Sequence, residues 1–593
     1  MADAITLSPR VSVGGSALTT AWQAALLELR VERALNVPGR ATLRFTDPGY
    51  ALLDSGAVSL GAELEVAAPG GGSTLFEGVV TGLGCDQREG EQPELVVVGY
   101  DRSYELGLTS QVKTWSQVTV SSVLRDLVSS SGLRATGDSV GASAAVSLDY
   151  LLQLDTDLGL LGELARRGGA DWWVDGTTLC FGKPDELTAR RATVKLTLGD
   201  GLLSFSARAL PVPEKVSVIG WDPAKQQTVT GVATSASDGV LPSSQLAGKA
   251  HPSASFVAAA LGARSAEEAS TLSQALFDLR AAAAVEATGT AAGDGAIAPG
   301  GRVTVSGAGP LSGEYPLSAV EHLYRPRRGF VTRFWSGDRR PAGLVEDSPR
   351  GGSSSVRGSI VGHHGVTAGI VTNINDPTRQ GRVKVLFAGM SRAQESAWAR
   401  IVATGGGAAR GNVFIPEVGD EVLVAFEEGD TRVPVVLGGL YGSKSTIPPP
   451  EVADGKVQKR ELVSRLGHTL RFLDGTSTDQ KAIELVLAGG LNAVHLGADK
   501  TTVTVQQGKA LSITVGSTVI TVAQGTGEVS IKAPSISLQA DQQIQLQAPT
   551  VTVSADASLE LKSQTSATLQ GLTVELQAEA SMQVTGTPVM VNG

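Results

Sequence analysis

The chain has 593 residues, several times the length of a typical single domain, so it has room for three or more folded units with separate cores. Aromatic residues make up only 4% of it, glycine occurs 72 times, and long stretches alternate Val, Ile, Leu or Thr with small polar residues, which favours strands over helices. The formal charge of -10 offers no bulk attraction to a phosphate backbone, so nucleic acid is not an expected partner.

Two cysteines, Cys85 and Cys180, are too few for a disulfide framework. Each lies in an apolar run, and we interpret both as free thiols in the core. The N-terminus lacks the basic stretch and apolar segment of a signal peptide, and no window holds about 18 consecutive apolar residues. We therefore expect the chain to fold and assemble in the cytoplasm without a signal peptide.

The N-terminal part reads as two sets of strands with helices between them. Residues 1–110 alternate apolar and polar residues, which predicts a barrel or sandwich. Helical spacing at 121–128 and 158–167, the latter capped by Asp157, predicts a small α/β insertion at about 111–205. Strands resume near Leu203, a helix covers about 266–287, and strands from 301 to 335 complete a second barrel.

Two boundaries follow. Residues 342–358 are rich in Gly and Ser and poor in large apolar side chains, so burial cannot offset their ordering entropy, and we place a linker at 346–358. A strand-rich unit at about 359–446 ends before Pro448, Pro449 and Pro450, since consecutive prolines cannot join a sheet interior.

The C-terminal part is the most periodic. Apolar doublets with one residue between them recur mostly seven or eight residues apart, each typical of a short strand that shows two side chains to one face. So short a repeat cannot enclose a core alone, which favours several copies wound around one axis, although the period does not fix their number. The predicted needle core is formed by Ile536, Leu538, Ile544, Leu546, Val551, Val553, Leu559 and Leu561.

Three further segments carry motifs in order. The first combines 149–158, which reads DYLLQLDTDL, with 164–169 and the pair Trp172 and Trp173. The second contains Pro299, Gly300, the stretch 312–315 and the stretch 332–334. The third is the most specific: it contains VTNINDP at 371–377, GRVKV at 381–385, SAWAR at 396–400, FIPEVGDEVLV at 414–424 and GGLY at 438–441.

Together with the C-terminal repeat, these segments resemble the spike proteins of contractile phage tails, the VgrG proteins of type VI secretion and the spike subunits of extracellular contractile injection particles. The resemblance implies a mainly β fold: a hub of two tube-like β-barrels with the α/β insertion at 1–345, an OB-fold at 359–446, a neck at 447–480, and an intertwined trimeric β-helix at 481–593.

The resemblance also implies a function. The expected protein is a structural, non-enzymatic central spike, a homotrimer whose six barrels adapt a threefold needle to the sixfold inner tube of a contractile machine. Expected partners are the inner tube hexamer, baseplate proteins, effector cargo and, transiently, the target membrane; no cofactor is expected. The particle would be phage tail-like, and either cytoplasmic or released on lysis.

The needle tip is expected to need a second protein. Relatives that close their own needle often bind a metal through histidines near the end, whereas no histidine follows His495 here. Three copies of Val589, Met590 and Val591 would leave a blunt apolar platform, and we expect a cap protein of the PAAR type to bind it.

Enzymatic interpretations find little support. The six histidines lack metal-site spacing, and His363 and His364 read as exposed surface beside the linker. Gly442 to Thr446 is a broken phosphate-loop motif. The acid cluster of Glu427, Glu428 and Asp430 falls in a predicted hairpin tip, where such charges are normally solvated. A solvated basic face is the simplest interpretation of Arg325, Arg327, Arg328, Arg333, Arg339 and Arg340, with an interface to neighbouring tube subunits as the alternative. The alternative class is a trimeric tailspike or adhesin that binds or cleaves glycans. Residues 480–593 contain no Trp, Tyr or Phe to stack on a sugar, which counts against it.

Overall fold

The computed structural model describes residues 8–187, 190–245, 251, 254–259, 262–337, 365–387, 389, 395–444, 446–448, 451–490, 492–507, 509–523 and 527–591. The chain divides into two compact units, residues 1–447 and residues 448–593. The predicted mainly β fold is confirmed. The predicted domain limits stay predictions, and the linker and His363–His364 lie outside the described residues.

The first barrel consists of strands that bury every second side chain. In the strand Arg40–Thr46, Ala41, Leu43 and Phe45 are buried while Arg40 and Arg44 remain partly exposed. The elements in chain order are β1 (Arg10–Val13), β2 (Ser16–Ala17), α1 (Thr20–Ala25), β3 (Leu26–Ala34), β4 (Arg40–Thr46), α2 (Ala51–Asp54), β5 (Glu63–Ala67), β6 (Thr74–Asp86) and β7 (Glu94–Tyr100).

The prediction that Cys85 is a core thiol is wrong. Both cysteines are free, but Cys85 is exposed whereas Cys180 is buried. Cys85 lies at the end of β6, where the last residues of this 13-residue strand extend beyond the barrel core and become solvent-exposed.

The α/β insertion contains β8 (Lys113–Thr119), α3 (Val120–Val128), β9 (Ser147–Gln153), α4 (Asp157–Gly168), β10 (Asp171–Asp175), β11 (Thr178–Gly182) and α5 (Pro184–Leu187). The cap predicted at Asp157 is one residue off, because Thr156 is the N-cap and its Oγ1 accepts a hydrogen bond from the Gly159 amide at 3.1 Å. Helix α4 ends at Gly169, whose φ of 64° is left-handed and which has Ala275 packed so closely that a Cβ would lie 3.0 Å from that methyl group.

The second barrel contains one long helix, which begins at the predicted residue and ends at Ala283 rather than near 287. This helix packs on a separate three-stranded sheet, and the other strands form the barrel. The elements are β12 (Thr193–Leu198), β13 (Gly201–Ala209), β14 (Lys215–Asp222), β15 (Gln227–Ala233), β16 (Ser255–Ala259), α6 (Ala266–Ala283), β17 (Val285–Ala292), β18 (Arg302–Ser306), β19 (Gly313–Pro316), β20 (Ala319–Arg325) and β21 (Gly329–Ser336).

One sheet runs through both barrels, because β3 pairs antiparallel with β20, with Leu29 opposite Tyr324 and Ala34 opposite Ala319. The pairing carries a 14-stranded sheet across the hub. On the expected basic face Arg327, Arg328 and Arg333 are solvent-exposed as predicted, while Arg325 is partly exposed and forms an ion pair with Glu28, and Arg333 forms one with Glu321 at 3.1 Å. Arg339 and Arg340 lie outside the described residues.

The OB unit is a five-stranded sheet in the order β23-β22-β27-β28-β24. Its core contains Val371, Val385, Val424 and Phe426. The chain turns at Asp376, within the motif VTNINDP, where the Asp376 carboxylate accepts backbone hydrogen bonds from Thr378 and Gln380 and a side-chain bond from Arg382. The elements are β22 (Val366–Asn373), β23 (Lys384–Leu386), β24 (Arg400–Ile401), β25 (Gly406–Gly407), β26 (Arg410–Gly411), β27 (Glu421–Phe426) and β28 (Pro434–Gly439).

The C-terminal unit consists of small antiparallel sheets followed by an extended chain. Its strands are β29 (Val452–Ala453), β30 (Lys456–Val457), β31 (Lys459–Val463), β32 (Thr469–Asp474), β33 (Lys481–Val486), β34 (Ala493–Gly497), β35 (Thr501–Thr504), β36 (Ala510–Val515), β37 (Thr518–Ala523) and β38 (Glu528–Lys532). Strands β31 to β35 form one meander and β36 to β38 another. After Lys532 the described residues contain no strand.

Candidate assembly interface

The C-terminal unit has almost no interior of its own. Among its described residues only Gln458 and Ala482 are buried, although it contains many Val, Ile and Leu side chains. A chain of this length that leaves its apolar side chains in water has not gained the burial that offsets chain entropy. The unit therefore reads as part of a larger core to which other molecules contribute.

One face of the meander β31–β35 is mostly apolar. Its register places three rows of side chains on this face: Arg460 is the one charged residue in two of them, and Asp474 lies opposite Lys481 in the third. Several of these side chains are about half exposed, for example Leu485 at 54%. The apolar face comprises Leu462, Leu470, Phe472, Ile483, Leu485, Val494, Leu496 and Val503.

The opposite face of the same meander carries a row of charges across four strands. Arg471 lies between Glu461 at 3.0 Å and Glu484 at 3.2 Å, and His495 Nδ1 lies 3.0 Å from Glu484. Burial alone would raise the pKa of Glu461, but the hydrogen bonds and charges of Arg471 and Lys459 together outweigh it, and the pKa is lowered. Such a cross-strand row fixes the register and leaves the apolar face free for other contacts.

Residues 533–591 form an extended chain that bends every seven or eight residues, at 541–542, 549, 556–557, 564–565, 572–573, 579–580 and 587–588. None of these residues exchanges a backbone hydrogen bond with another described residue. Backbone groups left without partners are strong hydrogen-bonding sites, so this segment offers its acceptors, and its donors except at Pro534, Pro549 and Pro588, to a neighbouring strand.

Every residue predicted for the needle core lies in this extended segment and is solvent-exposed in the single chain. The exposed fraction ranges from 53% at Ile544 and Val551 to 80% at Leu561, and Ile536, Leu538, Leu546, Val553 and Leu559 lie between. The earlier doublets differ, because Ile513, Ile520 and Ile531 belong to the intrachain sheet β36–β38 and face one another across it. The unpaired repeat thus begins at about residue 533.

The predicted tip platform is the end of the same segment. Val589 is 49% exposed, Met590 80% and Val591 88%. Three consecutive apolar residues without a covering partner form a surface of the kind that binds another protein.

Chemistry of the catalytic kind finds no support in the described geometry. The described residues contain no group of three His, Cys, Asp or Glu placed to hold a metal ion. His322 is buried and hydrogen-bonded to Thr332 at 2.9 Å, and burial, with Arg33 nearby, lowers its pKa to about 3, so it stays neutral. Burial raises the pKa of the Cys180 thiol to about 11, which leaves it unreactive.

The acid cluster lies at the predicted hairpin tip, between β27 and β28, and Glu428 is exposed there, but the prediction that all three acids are solvated is wrong. Asp430 is buried and its carboxylate binds Arg432 through two oxygens at 2.7 and 3.1 Å. Glu427 forms an ion pair with Arg264 at 3.3 Å, and Arg264 belongs to the loop before α6. No periodicity in the sequence could reveal Arg264 as a partner of Glu427, because the two residues are 163 positions apart.

Of the helices in the described part of the chain, none has the length and hydropathy that a membrane span requires.

Two family profiles match the chain. One, described as the Alg8 N-terminal domain, matches residues 3–325, and the other, the type VI secretion system/phage-baseplate injector OB domain, matches residues 367–441. The second match falls on the strands β22 to β28, where the sequence motifs predicted an OB-fold.

Curated relatives carry the name of spike proteins. The type VI secretion system spike protein VgrG5 of Pseudomonas aeruginosa is 38% identical over 127 residues, which is 21% of this chain and 15% of that protein. VgrG3 of Vibrio cholerae is 38% identical over 72 residues, 12% of this chain and 7% of that protein. The chain therefore matches less than a fifth of the length of these relatives.

Among solved structures, one similar to this chain is that of the E. coli c3393 protein. It is described as a component of the type VI secretion system with structural similarity to the T4 bacteriophage tail proteins gp27 and gp5. The alignment covers 72% of this chain and 99% of that protein, at 14% sequence identity and a TM-score of 0.46.

Proposed function

We propose that this chain, which belongs to the family of the Alg8 N-terminal domain over more than half of its length, is the structural central spike of a contractile injection system, because it carries the injector OB domain at 367–441. In this proposal it has no enzymatic activity. It is a homotrimer that joins an inner tube and its baseplate to a membrane-puncturing needle.

The observation that carries the proposal is the unfinished C-terminal unit. Among the residues that the structure describes, 533–591 have neither backbone partners nor buried side chains, and the meander before them leaves one apolar face open. Identical copies supply both missing elements at once, because a strand from each neighbour pairs the backbone and a doublet from each fills the axis. Interchain bonds along the needle then resist buckling under axial force.

The hub gives the sixfold side of the proposal. Each chain contributes two barrels joined in one sheet through β3 and β20, so that three chains present six barrels around the axis. Such a ring matches a hexameric inner tube while the needle keeps threefold symmetry.

The decisive experiment is the mass of the intact protein in solution. Sedimentation of the purified full-length chain at micromolar concentration should give a single species of three chains. A monomer at that concentration contradicts the proposal, because the apolar face and the doublets would then have no cover.

The tip supplies a second test. We expect a PAAR-type cap, with or without effector cargo, to bind the platform of Val589, Met590 and Val591. Deletion of residues 588–593 should leave the trimer intact and abolish co-purification of the cap. A particle whose wild-type needle ends bare in density argues against the cap while leaving the trimer unaffected.

A further inference from the structure

A cluster of ion pairs connects the OB unit to the hub. It consists of Arg264 and Glu268 on the hub side and Glu427, Glu428, Asp430 and Arg432 on the OB side, and we refer to these six residues as the hub–OB joint. Five hydrogen bonds of 3.3 Å or less cross between the two parts, and in two of them the hub partner is the backbone of Gly262.

On the hub side the joint is fixed by the start of α6. The N-cap Ser265 accepts a hydrogen bond from the Glu268 amide at 3.1 Å, and Glu268 in turn accepts one from the Arg264 amide at 3.0 Å through Oε2. The other oxygen, Oε1, accepts from Arg432 of the OB unit at 2.8 Å. One carboxylate thus holds both the helix terminus and the neighbouring domain.

On the OB side a tight turn presents the partners. Glu428 has a left-handed φ of 53°, an unfavourable conformation for a residue with a side chain. The turn directs its carboxylate to the amide of Gly262, which donates to it at 3.1 Å, while the Gly262 carbonyl accepts from Arg432 at 3.0 Å. The OB unit therefore binds the backbone of the hub loop as well as its side chains.

The geometry of the joint excludes most water. The side chain of Asp430 is 4% exposed and that of Arg432 is 22% exposed. Although burial opposes both charges, the hydrogen bonds and charge of Arg432 lower the pKa of Asp430, and those of Asp430 raise the pKa of Arg432. The nearby Arg167 and Arg400 add contacts to Glu268 and Glu427, so that four acids face four arginines.

We propose that the hub–OB joint is the rigid contact through which axial force passes from the hub into the OB unit and on toward the needle. This inference rests on the proposed spike function. The linker predicted at 346–358 lies outside the described residues, whereas the joint holds the hub and the OB unit together through described side chains and backbone groups on both parts. Within the OB unit Asp430 holds Arg432 at two points, and the guanidinium so oriented binds Glu268 and the Gly262 carbonyl of the hub.

A double-mutant cycle on the full-length protein tests the joint. Glu268→Gln keeps the size of the hub residue, and Arg432→Met keeps most of the bulk of the OB residue. In each single variant, hydrogen exchange in 262–268 and 426–433 should become roughly ten to a hundred times faster, since breaking a partly buried pair leaves its partner unsatisfied. The double variant should exchange no faster than Arg432→Met alone, because both changes remove the same contact.

The matched control is Arg208→Met, which removes an arginine from the exposed pair with Glu286 on the second barrel and should leave exchange in both segments unchanged. Electron-microscopy images of Arg432→Met should show a well-defined hub with the OB unit in variable positions. The proposal is overturned if the two changes have strictly additive effects on hydrogen exchange. It is also overturned if the OB unit of Arg432→Met keeps the fixed position that it has in the wild type. Sedimentation of the same samples reports the oligomeric state, so a failed joint and a failed spike proposal remain distinguishable.

Discussion

The two units of the chain solve the problem of burial in opposite ways. The N-terminal unit has separate cores in each barrel, in the α/β insertion and in the OB unit, with side chains such as Phe45, Phe334 and Trp172 almost fully buried. The C-terminal unit is also rich in Val, Ile and Leu, but Gln458 and Ala482 are the only buried side chains among its described residues.

The difference teaches where stability resides. An N-terminal barrel carries its own favourable burial and should be folded at any protein concentration. The C-terminal unit gains its burial only through association, so its stability depends on protomer concentration. Changes at matched positions in the two units should therefore act on different observables.

The largest effect is expected from a charge on the needle axis. Leu546→Asp would place one carboxylate per chain side by side in the proposed core, at a cost of several kcal/mol each unless they are protonated. The expected result is loss of the trimer in sedimentation, while the circular dichroism of the N-terminal unit stays unchanged.

The neighbouring change Gln545→Asp is the control for that experiment. Successive residues of an extended strand face opposite sides, so this carboxylate should face solvent and be tolerated. Equal damage from both changes would mean that the assignment of faces is wrong.

A cavity in the first barrel should act on the other side of the comparison. Phe45 is 1% exposed and packs edge-on against Trp22 at 5.0 Å between ring centroids. Phe45→Ala should lower the free energy of unfolding of the N-terminal unit by about 3–5 kcal/mol, measured by chemical denaturation. The needle should still assemble, and a variant that lost the trimer instead would blur the distinction between the units.

Acid should weaken the N-terminal unit through His322. The pKa of His322 is about 3 in the folded protein, against an ordinary value of 6.5. Between these two pH values the unfolded chain binds a proton at His322 and the folded protein does not. The free energy of unfolding should then fall by about 1.4 kcal/mol per pH unit between about pH 6.5 and pH 3. His322→Gln, which keeps a hydrogen-bonding group near Thr332, should flatten this dependence; an unchanged slope would assign it to the carboxylates.

The smallest effect is expected at a helix end. Thr156→Ala removes the cap of α4 and should cost about 1 kcal/mol, while Asp157→Ala loses side-chain hydrogen bonds from Gln111 and Gln153 instead. Thermal unfolding of Thr156→Ala should show the lower transition in the N-terminal unit alone. A needle that melts earlier in this variant would couple the two units more tightly than their separate cores suggest.

Local patterns predicted the parts of the molecule that depend on local physics. Alternation over 1–110 indicated strands, such as the one found at 40–46, and the start of α6 at Ala266 followed from apolar spacing. The motif that contains the OB turn at Asp376 could be recognised in the sequence, because an Asx turn involves only neighbouring residues. The needle doublets were readable for the same reason, although their partners were not.

Long-range contacts account for what the sequence could not predict. The apolar run around Cys85 says nothing about where the barrel core ends along β6. The acids at 427–430 look like a solvated turn until the loop before α6 brings Arg264 to them. The doublets from Ile513 to Ile531 have the same spacing as the later ones, but short connections let their strands pair within the chain as β36–β38.

The pairing of β3 with β20 has a consequence for how the protein is made. Glu28 and Arg325 are 297 residues apart in sequence, yet they meet in this ladder. Contacts of such separation form slowly, because a long loop must close before they contribute stability. During synthesis β3 has an unpaired edge until β20 has left the ribosome. At that stage the exposed edge can pair with nascent chains on neighbouring ribosomes of the same mRNA.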